Sequence, residues 1–175
     1  MAGDQLSNSI LRTIGSIAVH HAEVEYWVDA MVHSVHTYIP GAKKYGKKYP
    51  INFRTELEFL WNCFLHLPSM KPFRAQGLKL LQRINKAHED RSDILHSYIT
   101  RWDKKTKQLS FSRVWKSPDT GEPEGRRISI TEQGLVADAK RLDTLRYTVR
   151  KFAQRLREAC LPKKDANEAL RGLRG

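Results

Sequence analysis

Acidic residues are scarce in this chain: 19 Asp and Glu stand against 31 Lys and Arg, a formal net charge of +12 over 175 residues. That imbalance disfavours acidic partners and favours polyanions, chiefly nucleic acid, through phosphate neutralisation and counterion release. Only two cysteines occur, Cys63 and Cys160, far apart and without metal-ligand spacing. Both lie among apolar neighbours, which reads as buried free thiols in a reducing compartment. No run of apolar residues is long enough to span a bilayer. The apolar face of residues 10–39 is broken by His20, Glu23, Glu25 and Asp29, and no secretory core opens the chain. A cytoplasmic protein without a membrane segment is expected. Internal repeats and low-complexity stretches are lacking too.

Catalytic signatures are equally sparse. There is no glycine-rich phosphate loop, no His-Glu-x-x-His pair and no nucleophile elbow. No cofactor is expected, and no metal site, because His20 with Glu23 and His33 with His36 offer one-turn spacing but no second cluster.

What is present is helical period. Ile10, Ile14, Ile17, His21, Val24, Val28, Met31, Val35 and Tyr38 recur at steps of three and four, predicting one long helix that Pro40-Gly41 ends. Thr55 to Leu67 predicts a shorter helix, burying Leu57, Leu60, Trp61 and Phe64 and stopped by Pro68. A third is expected over about 71 to 98, with a stripe through Phe73, Gly77, Leu80, Ile84, Ala87, Arg91, Ile94 and Tyr98. The period then shortens. Two strands of a hairpin are predicted over about 108–130, turning at Pro118-Asp119-Thr120-Gly121. Ser129 and Glu132 suggest a capping box for a last helix whose stripe runs from Leu135 to Cys160. Pro162 closes it, and Lys163 to Gly175 reads as a basic, flexible tail. The expected fold is an all-α, four-to-five-helix up-and-down bundle over residues 1–162, one domain, with a small β-hairpin before the last helix.

Within that frame Arg91 is out of place, because it occupies an apolar stripe. A guanidinium turned toward a core needs an anionic partner or a functional reason. His96 follows five residues later. Arg83 and His88 repeat the spacing, but Arg83 lies beside the stripe and can reach water. Residues five apart differ by about 140° on an ideal helix, so Arg91 and His96 converge only if the helix ends or distorts near His96, or if two subunits face each other. The purely structural alternative is a salt bridge from Arg91 to Asp93, Glu25 or Asp29. His21, on the core stripe of the first helix, reads first as a satisfied core histidine.

The segment Arg91-Ser92-Asp93-Ile94-Leu95-His96-Ser97 resembles the arginine-x4-6-histidine motif of the HEPN superfamily, small helical proteins that include many metal-independent ribonucleases. The order of a long helix, a shorter one, the motif late in a third and a terminal helix is similar as well. The resemblance implies a homodimer that brings two motifs into one cleft. Arg91 would hold the scissile phosphate, and His96 would transfer protons as the RNA 2′-hydroxyl attacks. Ser92 and Asp93 would support them. Ser92 departs from the family, where the residue after the arginine is commonly Asn or another strongly polar side chain. A toxin or phage-defence setting, with an antitoxin or regulatory partner, follows from the same likeness. Lys43, Lys44, Lys47 and Lys48, in a loop interleaved with tyrosines, and Arg101, Arg126 and Arg127 would steer RNA. A binding module that holds nucleic acid or a protein without cutting is the alternative.

Overall fold

The computed structural model describes residues 6–117 and 120–161, leaving the expected tail, Pro162 and half of the hairpin turn outside the described residues. Helix α1 runs Asn8–Tyr38, α2 Phe53–His66, α3 Arg74–Leu95 and α4 Glu132–Cys160. Short 3-10 turns at Ala42–Lys44 and Pro68–Phe73 precede α2 and α3. Between α3 and α4 stand three strands, β1 Tyr98–Asp103, β2 Gln108–Lys116 and β3 Pro123–Thr131, in an antiparallel sheet of order β1-β2-β3. The protein is therefore mostly helical but carries a real sheet, which corrects the all-α expectation.

The correction has a local cause. The stripe carried on to Tyr98 because Ile94 and Tyr98 keep helical spacing, yet α3 stops at Leu95. There the His96 N–H donates to the Ser92 carbonyl at 3.1 Å and the Ser97 hydroxyl to the Asp93 carbonyl at 2.6 Å. Both satisfy carbonyls that a helix end would otherwise leave open. Tyr98 then starts a strand instead of closing a helix. At the other end of the sheet β3 runs two residues past Ser129, and Thr131 does the capping, its Oγ1 accepting from the Gly134 N–H at 3.0 Å. Residues Ser129 and Glu132 form no capping box because Ser129 is paired within the strand.

The chain divides into two compact units, residues 1–22 with 86–144 and residues 23–85 with 145–175, the division falling within α1, α3 and α4. The second unit is packed with hydrocarbon. Val28, Met31, Leu60, Phe64, Ile84 and Leu156 are fully buried. Phe152 meets Phe64 and Phe73 edge-on at centroid distances of 5.8 and 5.9 Å, the geometry favoured by the ring quadrupoles. Gly77 permits this packing: a Cβ there would lie 2.9 Å from the Phe64 ring. α1 ends in this unit, where Gly41 takes a φ of 83° that other residues rarely adopt. Asn52 caps α2, accepting from the Thr55 N–H at 2.9 Å.

The first unit holds the sheet. Along β2, Leu109 and Phe111 are buried while Gln108 and Val114 are exposed, so one face packs and the other meets water. Ile10, Ile17, Ile94, Leu135 and Leu142 complete its apolar interior. His21 lies among them with no exposed surface.

Candidate functional site

The last turns of α3 carry Glu89, Asp90, Arg91 and Asp93 close together. Arg91 is half-buried, and its nearest marked effect is on His21 of α1. Burial above all, then the positive charge of Arg91, then His88, push His21 down to about 3, so the imidazole is neutral near physiological pH. The His21 and His88 rings lie 5.3 Å apart, tilted by 41°. Arg91 thus stands beside two histidines from two different helices. The stripe predicted that Arg91 faces inward. It did not predict that a histidine pair would meet it, because that pairing joins residues 67 positions apart in the sequence.

Asp93 does something else than neutralise Arg91. Its carboxylate Oδ2 accepts from Arg126 of β3 at 2.8 Å, and its Oδ1 lies 3.6 Å from Arg113 of β2. Those two arginines are direct cross-strand partners, an arrangement of like charges that costs stability unless an anion sits between them. Arg113 also stands over the Trp115 ring, 5.8 Å from its centroid. The alternation of β2 explains the arrangement: Arg113 shares the inward parity of Leu109 and Phe111, and β3 places Arg126 opposite it. That parity was legible in the sequence and would have marked Arg113, which sequence reasoning passed over.

His96 lies one residue beyond α3 and is exposed. Ser92 is half-buried and contributes its carbonyl to the turn that positions the His96 backbone. The motif therefore presents one half-buried cation, one clamped carboxylate and one solvent-facing imidazole. A guanidinium suits a phosphate oxyanion, and an exposed imidazole can exchange protons with a bound substrate.

The basic residues expected to steer RNA fall in both units. Arg101, Arg126 and Arg127 belong to the sheet and are exposed. Lys43, Lys44, Lys47 and Lys48 are exposed in the other unit, around a loop whose tyrosines are occupied internally. Tyr45 stacks on His66 at 5.7 Å, and the Tyr49 hydroxyl donates to Asp29 Oδ1 at 2.6 Å. Burial first, then Asp29, raise the Tyr49 hydroxyl above its ordinary range. These contacts anchor the loop, and the four lysines keep their charge outward. Asp29 is committed to Tyr49, and Glu56 is raised by burial first, then by Asp29 and Glu25.

Other histidines have local settings. His20 Nε2 lies 3.7 Å from Asp143 Oδ1, and His36 Nε2 is 3.2 Å from the Gly46 carbonyl. The thiols of Cys63 and Cys160 are buried and pushed up, to about 12 and about 11, by desolvation, so neither is an activated nucleophile. Among the described residues no helix is long and apolar enough to cross a membrane. No family model, no curated protein and no solved structure matches the chain.

Proposed function

We propose that this is a HEPN-like, metal-independent endoribonuclease of the cytoplasm, working as a homodimer. The observation that carries the reading is the setting of His96: an exposed imidazole set just past α3, five residues after Arg91, whose guanidinium is carried by the last turns of that helix. Phosphate held at Arg91 would have its negative charge neutralised as the 2′-hydroxyl attacks. His96 would take the 2′ proton or return one to the 5′-oxygen leaving group. Breakage of the P–O5′ bond and formation of the P–O2′ bond leave a 2′,3′-cyclic phosphate and a 5′-hydroxyl. A second subunit would supply the other half of the acid/base pair. Asp93 acts by position, since its link to Arg113 and Arg126 fixes the last turn of α3 against the sheet. A regulatory or antitoxin partner accompanies this reading.

A second reading, a nucleic-acid-binding protein that does not cut, is favoured by one observation. Arg91 is half-buried beside His21 and His88 instead of standing open to solvent. The deciding experiment is cleavage of structured and single-stranded RNA in EDTA by the wild type and by His96→Ala, both checked for fold and oligomer size. Cutting by the wild type alone, with cyclic phosphate ends, supports the ribonuclease. Equal RNA retention without cutting by either protein supports the binder.

A further inference from the structure

The outer face of the sheet owes its character to one extra residue. The pairing of β1 with β2 runs Tyr98 to Ser112 and Ile99 to Phe111, then shifts so that Arg101 pairs with Ser110 and Trp102 with Leu109. Thr100 is left over as a bulge, its hydroxyl donating to the Ser110 carbonyl at 3.1 Å. In a regular strand, residues three apart point to opposite faces. The bulge re-aims the chain so that Tyr98 and Arg101 emerge on the same side. β3 adds Arg127, directly across Ser112 from Tyr98.

The result is an open face with an aromatic ring and two guanidiniums around small hydroxyl side chains. Tyr98 is 61% exposed and the Arg101 side chain 75% exposed. Ser112, between Tyr98 and Arg127, is buried, and Ser110 and Ser129 lie 3.3 Å apart oxygen to oxygen in the next row. The backbone N–H groups of Lys105 and Thr106 hold the carboxylate of Asp103, and Arg101 stands 3.7 Å from it. Burying Tyr98 here would have been the ordinary use of an aromatic strand residue. Exposing it beside arginines over a floor too short to obstruct a flat ring makes a stacking platform.

We infer that this face binds single-stranded RNA, with a base stacked on Tyr98 and the flanking phosphates held by Arg101 and Arg127. The choice of ligand rests on the RNA reading above; the charge excess of the chain and the cationic rim of this face supply the complementarity. A single strand fits better than a duplex because only unstacked bases offer a face to an aromatic side chain. The platform would deliver a strand to the motif rather than take part in the bond-breaking step.

The test separates binding from cutting by using the full-length His96→Ala protein throughout. A fluorescent oligouridine is titrated and its anisotropy followed at several salt concentrations, beside a duplex of equal length. Tyr98→Ala, introduced into that protein, is expected to weaken single-strand binding at least about fivefold, and Tyr98→Phe to leave it within about twofold. Arg127→Ala should weaken binding and make the logarithmic salt slope shallower by about 0.7, the share of one phosphate contact on a single strand. Thermal midpoints equal to the parent's establish that the variants fold. Affinity unchanged by Tyr98→Ala and Arg127→Ala, or tighter binding of the duplex, overturns the platform. Either result leaves the ribonuclease reading to stand or fall on cleavage alone.

Discussion

The interiors of the two units are built on opposite terms. Residues 23–85 with 145–161 are held by hydrocarbon and rings, Phe64, Phe73 and Phe152 among them. Residues 1–22 with 86–144 enclose His21 completely, half-bury Arg91 and tie Asp93 to two arginines. Buried polar groups cost free energy unless satisfied, so each of these, His21 on α1 and Arg91 and Asp93 on α3, adds a cost that a hydrocarbon interior avoids. The contrast separates an interior of hydrocarbon from one that also holds ionisable groups. Substitutions that act through packing should therefore be most costly in the first kind of interior, and those that act through charge in the second.

The largest effect is expected at Phe64. Its ring is fully buried, contacts Phe152 and lies where a Cβ on Gly77 would collide. Phe64→Ala should cost about 3–5 kcal/mol in denaturant unfolding, the range for deleting a buried ring. A loss near 1 kcal/mol would show that α2 and α3 collapse into the space, and the contrast between the units would weaken. Gly77→Ala gains helix propensity of about 1 kcal/mol but meets that ring, so a net loss of stability is the diagnostic sign.

Asp93→Asn comes next. It keeps the shape of the side chain and removes the charge from between Arg113 and Arg126, at an expected cost of about 2 kcal/mol. Full exposure of neither partner is present: the Asp93 side chain is 18% and that of Arg113 30% exposed, while Arg126 at 60% is screened by water. A double-mutant cycle with Arg113→Gln should accordingly give a larger coupling than one with Arg126→Gln, although the Arg126 bond is shorter. The reverse order would mean that distance outweighs desolvation here.

Much of the fold was legible from periodicity, and the reasons for the misses are physical. α1 and α4 carry stripes that keep helical spacing from end to end, and the structure ends them within a residue or two of the expected places. β1 was hidden because Ile94 and Tyr98 continue a helical spacing across a chain that caps itself at Ser92 and Asp93. No local pattern announces such a cap when serine and histidine do the work through backbone and hydroxyl. At the motif, the inward phase of Arg91 could be read from its neighbours. The histidine pair beside it and the arginines around Asp93 could not, since each depends on segments that meet only after folding. Arg113 was the exception, being readable from strand parity.

A smaller effect sharpens the contrast through pH. His21 is neutral in the folded protein, with its pKa lowered from 6.5 to about 3 by burial, Arg91 and His88. The unfolded chain binds this proton at higher pH than the folded one. Stability is therefore fully present above about 6.5 and is lost as pH falls from there toward 3. Between pH 7 and 5.5 the loss should amount to about 1 kcal/mol from this group alone. His21→Leu should flatten that slope in urea titrations, where carboxylates have scarcely begun to protonate. Arg91→Gln removes one of the charges that depress His21 and should narrow the window from its acid side. Identical slopes for wild type and His21→Leu would mean that folding leaves the affinity of this histidine for its proton unchanged.

The smallest effect on stability should come from His96, and that smallness is what gives it weight. Its ring is exposed, and the contact that ends α3 uses its backbone N–H, which any residue but proline supplies. His96→Ala should thus shift unfolding by less than about 0.5 kcal/mol, the usual range for surface changes. Loss of a positioned acid or base typically lowers a rate by about 10²–10⁴. A variant that keeps its stability, its oligomer size and its affinity for RNA, yet loses cleavage by such a factor, separates chemistry from architecture at a single side chain. Should His96→Ala instead unfold as readily as Asp93→Asn, the imidazole would belong to the packing of its own unit, and the division between stabilising and reacting groups would have to be drawn closer to Arg91.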